Sequence, residues 1–324
     1  MPVYNGGRFL EEAIESIRSQ TLQDFTFFIV EDGSVDDSPA IIQKYAELDS
    51  RIHYFKNESN LGLITTLNRY FNLASTRYIA RMDADDVALP TRLEKQIEFL
   101  ESNPRIGILG TCVEHTDSEL KVISEDGWFP KDHYLILWKM LYTSGFSHPT
   151  VVMRKEVFMA LNGYAGSALH VEDYDFFVRA KERTMFGNLQ ERLLKYRCNE
   201  NSVSSRHAKT QETNQVLLFR QNIESILPDI DKDLLLTFMR RHTVKDINDF
   251  WKIFRLLDNI YNAFMAKYLI PTATREQIRF DKNRMLSILA LTYKSRSFWR
   301  GIFMYFCVVL RSPSIILFNL KKAS

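Results

Sequence analysis

The sequence predicts an α/β fold, a mostly parallel sheet flanked by helices, continued by a helical C-terminal region; three features carry that expectation. Short apolar runs alternate with amphipathic stretches through the first two-thirds of the chain, the order of strand-helix units. Several runs end in turns rich in carboxylates, at Glu31-Asp32-Gly33-Ser34 and Asp83-Ala84-Asp85-Asp86, where open α/β sheets bind ligands. From about Thr210 onward the spacing becomes helical, as in 216–227 and 247–268, with no further convincing strand.

Taken in order, Pro2-Val3-Tyr4-Asn5-Gly6 reads as a strand end turning into a first helix, whose stripe is Leu10, Ala13, Ile14 and Ile17. Residues 25–30 are aromatic and β-branched with no polar alternation beyond Thr26, the pattern of a strand covered on both faces. Ser38-Pro39 opens a second helix, with Pro at its first position. Residues 52–55 read as a strand, 63–74 as a helix and 78–82 as the next strand. Thr91 and Glu94 form a capping box that starts a helix running to about Asn103, and 106–113 is another strand.

The formal net charge of +2, with acids and bases interspersed, gives no reason to propose a nucleic-acid partner. Cys112, Cys198 and Cys307 are far apart and in no metal-ligand pattern, which reads as buried thiols in a reducing compartment. A basic start followed by a long apolar run is not visible, so a cytoplasmic location is expected.

Asp83, Asp85 and Asp86 put three carboxylates in four residues at a strand end. Like charges so placed repel unless something positive sits among them, and their oxygens suit a hard divalent ion such as Mg²⁺ or Mn²⁺ that takes few protein ligands plus substrate phosphates. Arg81 either supplies part of that charge or binds nucleotide phosphates, and Asp86 either joins the site or only starts the next turn. Asp32 is suited to accept hydrogen bonds from a base or ribose; the plainer reading is that it caps its turn. Glu172-Asp173-Tyr174-Asp175 precedes Phe176-Phe177-Val178 in helical spacing. Its acids either complement the helix dipole or include a general base at Asp173.

These motifs together resemble family 2 glycosyltransferases of the GT-A fold. The resemblance rests on 2–5, 31–37, Asn60-Leu61-Gly62, Asp83-Ala84-Asp85-Asp86, His148-Pro149-Thr150, Gly163-Tyr164 and Glu172-Asp173-Tyr174, and covers about residues 1–205. It implies a catalytic domain over 1–208, a helical region over 209–324, and an inverting transfer of one sugar from a UDP-sugar to a hydroxyl of a glycan or lipid-linked glycan acceptor in surface polysaccharide synthesis. It also implies nucleotide contacts from Pro2, Tyr4, Asp32, Asn60, Arg81 and Asp83, with Asp85 and Asp83 holding Mn²⁺ or Mg²⁺. Asp173 would be the base, with Glu172, His148 and Tyr174 on the acceptor and sugar side. Because the ion neutralises the leaving diphosphate, one carboxylate base suffices, unlike the carboxyl pair of glycoside hydrolysis.

The resemblance has departures. Relatives continue Tyr-Arg with one residue and then His; here Tyr196-Arg197-Cys198 is followed by Asn199, which makes His207 the candidate replacement ligand. The Gln-x-x-Arg-Trp mark of processive relatives is missing, which points to one sugar per acceptor. Relatives also carry about five to eight apolar residues of a first central strand before the Pro-Val-Tyr-Asn motif, whereas here Met1 precedes it directly. Unpaired neighbouring backbone is then expected, Met1 reads as an internal Met or the start of a truncated gene, and the alternative function is a non-catalytic relative that binds a glycan or partner. A nucleotidyltransferase sharing the sheet and acid cluster is the other alternative; the lack of a glycine-rich phosphate loop and the Glu172-Asp173 pair stand against it.

Near the C-terminus an apolar, aromatic stretch at 297–310, broken by Arg300, is too short to span a bilayer and is flanked by Lys294, Arg296 and Arg311. It reads either as part of a peripheral membrane contact over 297–320 on the inner face of the cell membrane, or as a helix packed on the catalytic domain.

Overall fold

A computed structural model of the chain describes residues 1–124, 127–198, 208–239, 246–294, 304–305 and 308. The chain divides into two compact units, one made of Met1–Ile136 and Ser144–Gln215, the other of Leu137–Thr143 and Val216–Ser324.

The first unit opens with β1 (Pro2–Val3), α1 (Gly7–Arg18), β2 (Phe27–Glu31), α2 (Ser38–Leu48) and β3 (Ile52–Lys56). The strands form a three-stranded parallel sheet in the order β1-β2-β3, with Pro2 opposite Val30 and Phe27 opposite Ile52. All three therefore deliver their carboxyl ends to one edge. The expected stripe of α1 is buried, and Leu10, Ala13, Ile14 and Ile17 share a core with Val3, Phe27, Ile29 and Ile42. The expected gap in pairing is not seen between Phe28 and Asp32. Val30 N donates to the Met1 carbonyl at 2.9 Å, Asp32 N to the Val3 carbonyl at 2.8 Å, and the Met1 amino group to the Phe28 carbonyl at 2.9 Å.

The chain continues with α3 (Leu63–Leu73), β4 (Tyr78–Ala80), β5 (Val87–Ala88), α4 (Arg92–Ser102), β6 (Ile106–Thr116), β7 (Val122–Ser124), α5 (His133–Lys139), whose residues from Leu137 on belong to the second unit, β8 (Val152–Arg154), α6 (Lys155–Ala160), α7 (Glu172–Ala180) and β9 (Met185–Arg197). Here the sheet is six-stranded, in the order β4-β8-β6-β9-β5 with β7 on β6. Only β6 and β9 pair in parallel; the other pairs are antiparallel. The parallel expectation thus holds for the first sheet, while the second is mixed. β4 and β6 point the same way, but β8 returns between them and runs against both. Three residues are too few for β8 to show a strand period in the sequence.

α4 begins where the capping motif placed it, but Thr91 makes no side-chain cap. Glu94 instead accepts from the Thr21 hydroxyl at 2.7 Å, and Gln20 Oε1 accepts from Leu93 N at 3.0 Å. Tertiary partners have replaced the local reciprocal pair. Cys112 is a buried free thiol as expected, whereas Cys198, one residue past the end of β9, is exposed.

The helices after β9 are α8 (Ala208–Glu224), α9 (Lys232–Met239), α10 (Ile247–Lys267) and α11 (Thr272–Lys294). Asp246 caps α10 by accepting from Asn248 N and Asp249 N, and the helix buries Phe250, Ile253, Leu257, Ile260 and Phe264. Within the second unit the Trp138 ring lies edge-on to Phe264 at 5.5 Å, and Trp138 Nε1 donates to Asp281 at 3.0 Å. Among the described residues no helix is long and apolar enough to cross a membrane. Apart from 304, 305 and 308, the segment 297–320 lies outside the described residues.

Candidate active site

Two loops at the carboxyl edge of the parallel sheet are tied to each other. Asn5, in the left-handed region at φ 52°, donates its N–H to Ser34 Oγ at 3.0 Å and accepts from Val35 N at 2.9 Å. Gly6 N donates to Ser38 Oγ at 3.0 Å and Gly7 N to Asp36 Oδ2 at 2.9 Å. The first amides of α1, which in dinucleotide-binding folds cradle phosphate, are already taken by side chains.

Asp32 is buried and accepts from Asn57 Nδ2 at 2.7 Å, Leu61 N at 2.9 Å and Gly62 N at 2.9 Å. Its carboxylate therefore anchors the 60–62 loop, and Gly33 at φ +80° packs so closely on that loop that a Cβ would lie 2.6 Å from Asn60 N. Around this anchor Pro2 is half-buried, while Tyr4 and Asn60 are exposed and open to a ligand. Asn57 was not singled out in the sequence, where a lone Asn after a strand carries no signal.

The turn after β4 holds the acid cluster. Gly6 brings it against the β1-α1 turn, since a Cβ on Gly6 would sit 3.4 Å from Ala84 Cβ. Asp83, Asp85 and Asp86 each offer an oxygen, and these lie within 4.8 Å of one another. Asp86 is buried; its Oδ1 accepts from Arg197 N at 2.9 Å, and its Oδ2 is buried with no hydrogen-bond partner among the described residues. Burial, and then the charges of Asp83 and Asp85, push the Asp86 carboxyl well above the ordinary range. A buried carboxylate with an orphan oxygen and two acidic neighbours fits a hard divalent ion, and so does the all-oxygen donor set. The fold brings Asp86 together with Asp83 and Asp85. His207 lies outside the described residues.

Arg81 is the buried cation beside this cluster, ion-paired with Asp83. Burial opposes its charge, but Asp83 shifts the guanidinium upward. Beneath it, buried Arg92 donates to the Arg81 carbonyl at 2.6 Å and fixes the end of β4. Arg81 also acts electrostatically on Glu172, Asp173, His148 and Tyr164, so the acceptor-side candidates share one charge environment with the acid cluster.

On that side α7 starts at Glu172. Burial, with the charge of Asp173 next to it, pushes Glu172 up to about 7. Burial also raises Asp173, opposed by the Tyr174 N–H that its Oδ1 accepts at 2.7 Å. The Tyr174 side chain is buried. His148 Nε2 lies 2.9 Å from the Tyr164 hydroxyl, and burial together with Arg81 holds the imidazole well below its usual range, hence neutral. Asn68 fixes that pair from α3: its amide accepts from Tyr164 N at 2.8 Å and donates to the Tyr164 carbonyl at 2.8 Å. The Gly163-Tyr164 motif pointed toward this contact; Asn68 had no signal of its own.

The profile of glycosyl transferase family 2 matches residues 1–161. The O-antigen biosynthesis glycosyltransferase WbnJ of Escherichia coli is 32% identical over 213 residues, covering 63% of this chain and 80% of WbnJ. The crystal structure of S. aureus TarS 1-349 in complex with UDP-GlcNAc superposes with a TM-score of 0.58 at 17% identity, over 95% of this chain and 88% of that one. The mannosyltransferase PcManGT of Pyrobaculum calidifontis, in complex with GDP-Man and Mn²⁺, does so with a TM-score of 0.51 at 16% identity, over 97% and 85%. Both structures share the GT-A-like α/β fold of this chain.

Proposed function

Since the chain belongs to glycosyl transferase family 2, we propose that it is a metal-dependent, inverting enzyme that moves one sugar from a UDP-sugar to a hydroxyl of a lipid-linked glycan in surface polysaccharide synthesis. The observation that carries this reading is Asp86. Its buried, unpartnered oxygen stands in a cluster of three carboxylates that acts on the same buried arginine as Glu172 and Asp173. A cation-binding acid cluster joined to a second, cation-poor acid pair is what metal-assisted transfer to a base-activated hydroxyl requires.

In this reading Asp83, Asp85 and Asp86 hold Mn²⁺ or Mg²⁺, which when bound neutralises charge on the departing nucleoside diphosphate. Arg81, itself buried and held charged by Asp83, supplies a fixed positive charge beside the cluster. Asp173 takes the proton of the acceptor hydroxyl, and burial raises its affinity for that proton. Glu172, near neutrality in its titration, hydrogen-bonds the acceptor beside it, with buried Tyr174 shaping the same pocket. Neutral His148, paired with Tyr164, orients a sugar hydroxyl without adding charge. Pro2, Tyr4 and Asn60 line the base site over the loop that Asp32 anchors. The lipid-linked acceptor places the enzyme at the inner face of the cell membrane.

UDP as the donor nucleotide is supported by the family resemblance of the motifs and by TarS, whose structure holds UDP-GlcNAc. A screen of UDP-, GDP- and dTDP-sugars with Mn²⁺ and lipid-linked acceptors, reading nucleotide release, tests the reading. Acceptor-dependent release of UDP is expected; release of GDP or dTDP alone overturns the donor assignment, and release from none overturns the transferase reading.

A further inference from the structure

We propose that Arg197 is a positioning residue for the acid cluster, fixing the geometry in which Asp85 and Asp86 face a divalent cation; the inference rests on the metal-site reading above. Arg197 ends β9, which pairs on one side with β6, Thr116 opposite Arg197, and on the other with β5, Val87 opposite Lys195. Its backbone N–H donates to Asp86 Oδ1 at 2.9 Å, while its side-chain Nε donates to the Asp85 carbonyl at 2.8 Å. One residue therefore grips both consecutive acids, one by its main chain and one by its side chain. Holding Oδ1 of Asp86 leaves the other oxygen in a buried position where none of the described residues meets it.

The guanidinium is itself immobilised from every direction. Its two terminal nitrogens donate to the Ser118 carbonyl and the Glu12 carboxylate, and the group lies 4.2 Å over the Phe9 ring. The side chain is 1% exposed against 57% for Glu12. Three acceptors, one on each guanidinium nitrogen, with an aromatic ring beside them, suit the forked guanidinium and not an ammonium. Glu12 also offsets the arginine charge, so the cluster gains hydrogen bonds from Arg197 without losing the negative charge that attracts a cation. Arg197 touches no reacting atom in this arrangement; it acts through Asp85 and Asp86.

The test is direct Mn²⁺ binding to the full chain, without nucleotide or turnover, followed by the electron paramagnetic resonance signal of free Mn²⁺. Wild type, Arg197→Ala, Arg197→Lys and Asp85→Ala are compared, each with its metal-free unfolding midpoint. Loss of a group that orients metal ligands typically costs about 10- to 100-fold in affinity, and that loss is expected for both Arg197 variants. Arg197→Lys keeps the charge, so weakening there assigns the effect to geometry; should Arg197→Ala fail to fold, Arg197→Lys decides alone. Wild-type affinity in a folded Arg197 variant, with Asp85→Ala weakened, overturns the positioning role and leaves the metal site standing. No Mn²⁺ binding by the wild-type chain overturns the metal site and this inference with it.

Discussion

Asp281 on α11 and Asp86 after β5's approach turn are both buried carboxylates, yet their surroundings differ in every respect. Asp281 is met by Trp138 Nε1 at 3.0 Å, Lys139 Nζ at 2.7 Å, Arg284 Nη2 at 2.9 Å and the Tyr142 hydroxyl. Although burial opposes its charge, Lys139 and these hydrogen bonds hold its carboxyl below the ordinary range. Asp86 has one backbone donor, an orphan oxygen and two acidic neighbours, and is pushed upward. A buried charge needs partners, and among the described residues both oxygens of Asp281 are met, whereas only Oδ1 of Asp86 is. The first carboxylate is a structural joint; the second is the one that the proposed reading gives to a divalent cation. Burial alone does not separate these roles, whereas hydrogen-bond satisfaction does.

The largest expected effect lies on the unsatisfied side. Asp173→Asn should lower transfer by about 10²- to 10⁴-fold, the usual range for a general base, with Mn²⁺-dependent UDP binding kept. Single-turnover kinetics beside calorimetric UDP binding check it, and full activity in the variant would remove Asp173 from the base role. On the satisfied side, Asp281→Asn leaves Lys139 and Arg284 facing a neutral group. It should cost about 3 kcal/mol of stability in urea unfolding without changing Mn²⁺ affinity. A variant as stable as wild type would break the contrast from that end.

Metal should close the gap between the two sites. Mn²⁺ at about 100 times its dissociation constant should stabilise the chain by about 2.7 kcal/mol, reversed by chelation, and Asp86→Asn should lose most of that gain. Thermal unfolding with and without Mn²⁺ reads this directly. An Asp86→Asn chain stabilised like wild type would leave the orphan oxygen without a ligand role.

The smallest effect is in the pH profile, where the two kinds of acid have opposite signs. Asp281, held low, contributes stability that is present above the ordinary carboxylate value and lost as pH falls through its folded-state value. Glu172, raised from 4.5 to about 7, keeps its proton in the folded chain while the unfolded chain has released it. Metal-free stability should therefore fall as pH rises from about 4.5 to about 7. Glu172→Gln should flatten that slope and raise the midpoint at pH 8, by about 2–4 °C for each kcal/mol recovered. An unchanged slope would show that Glu172 is not the group titrating there.

Much of this was legible along the chain. The stripe of α1, the apolar run of β2 and the helical spacing of α10 stand where the periodicity put them, because each is fixed by contacts within a few residues. Thr91 was misread as a cap, since Gln20 and Glu94's partner Thr21 come from far away in sequence. β8 was not seen because a three-residue strand is defined by the neighbours it joins, not by its own period. Of the acids, the crowding of Asp83, Asp85 and Asp86 was visible as a repulsion needing a cation; which of them was buried and unpartnered was not.

Residue order alone carries most of the strand-helix alternation as far as β6, the family, and the presence of an acid cluster in want of positive charge, because local periodicity, turn chemistry and like-charge repulsion act between near neighbours. Only the tertiary structure decided that Asp32 anchors a loop, that Arg197 grips the cluster from the far end of β9, and that Asp86 rather than Asp281 is left unmet. Hydrogen-bond partners and desolvation come from residues distant in sequence, and the fate of a buried charge is settled where they converge.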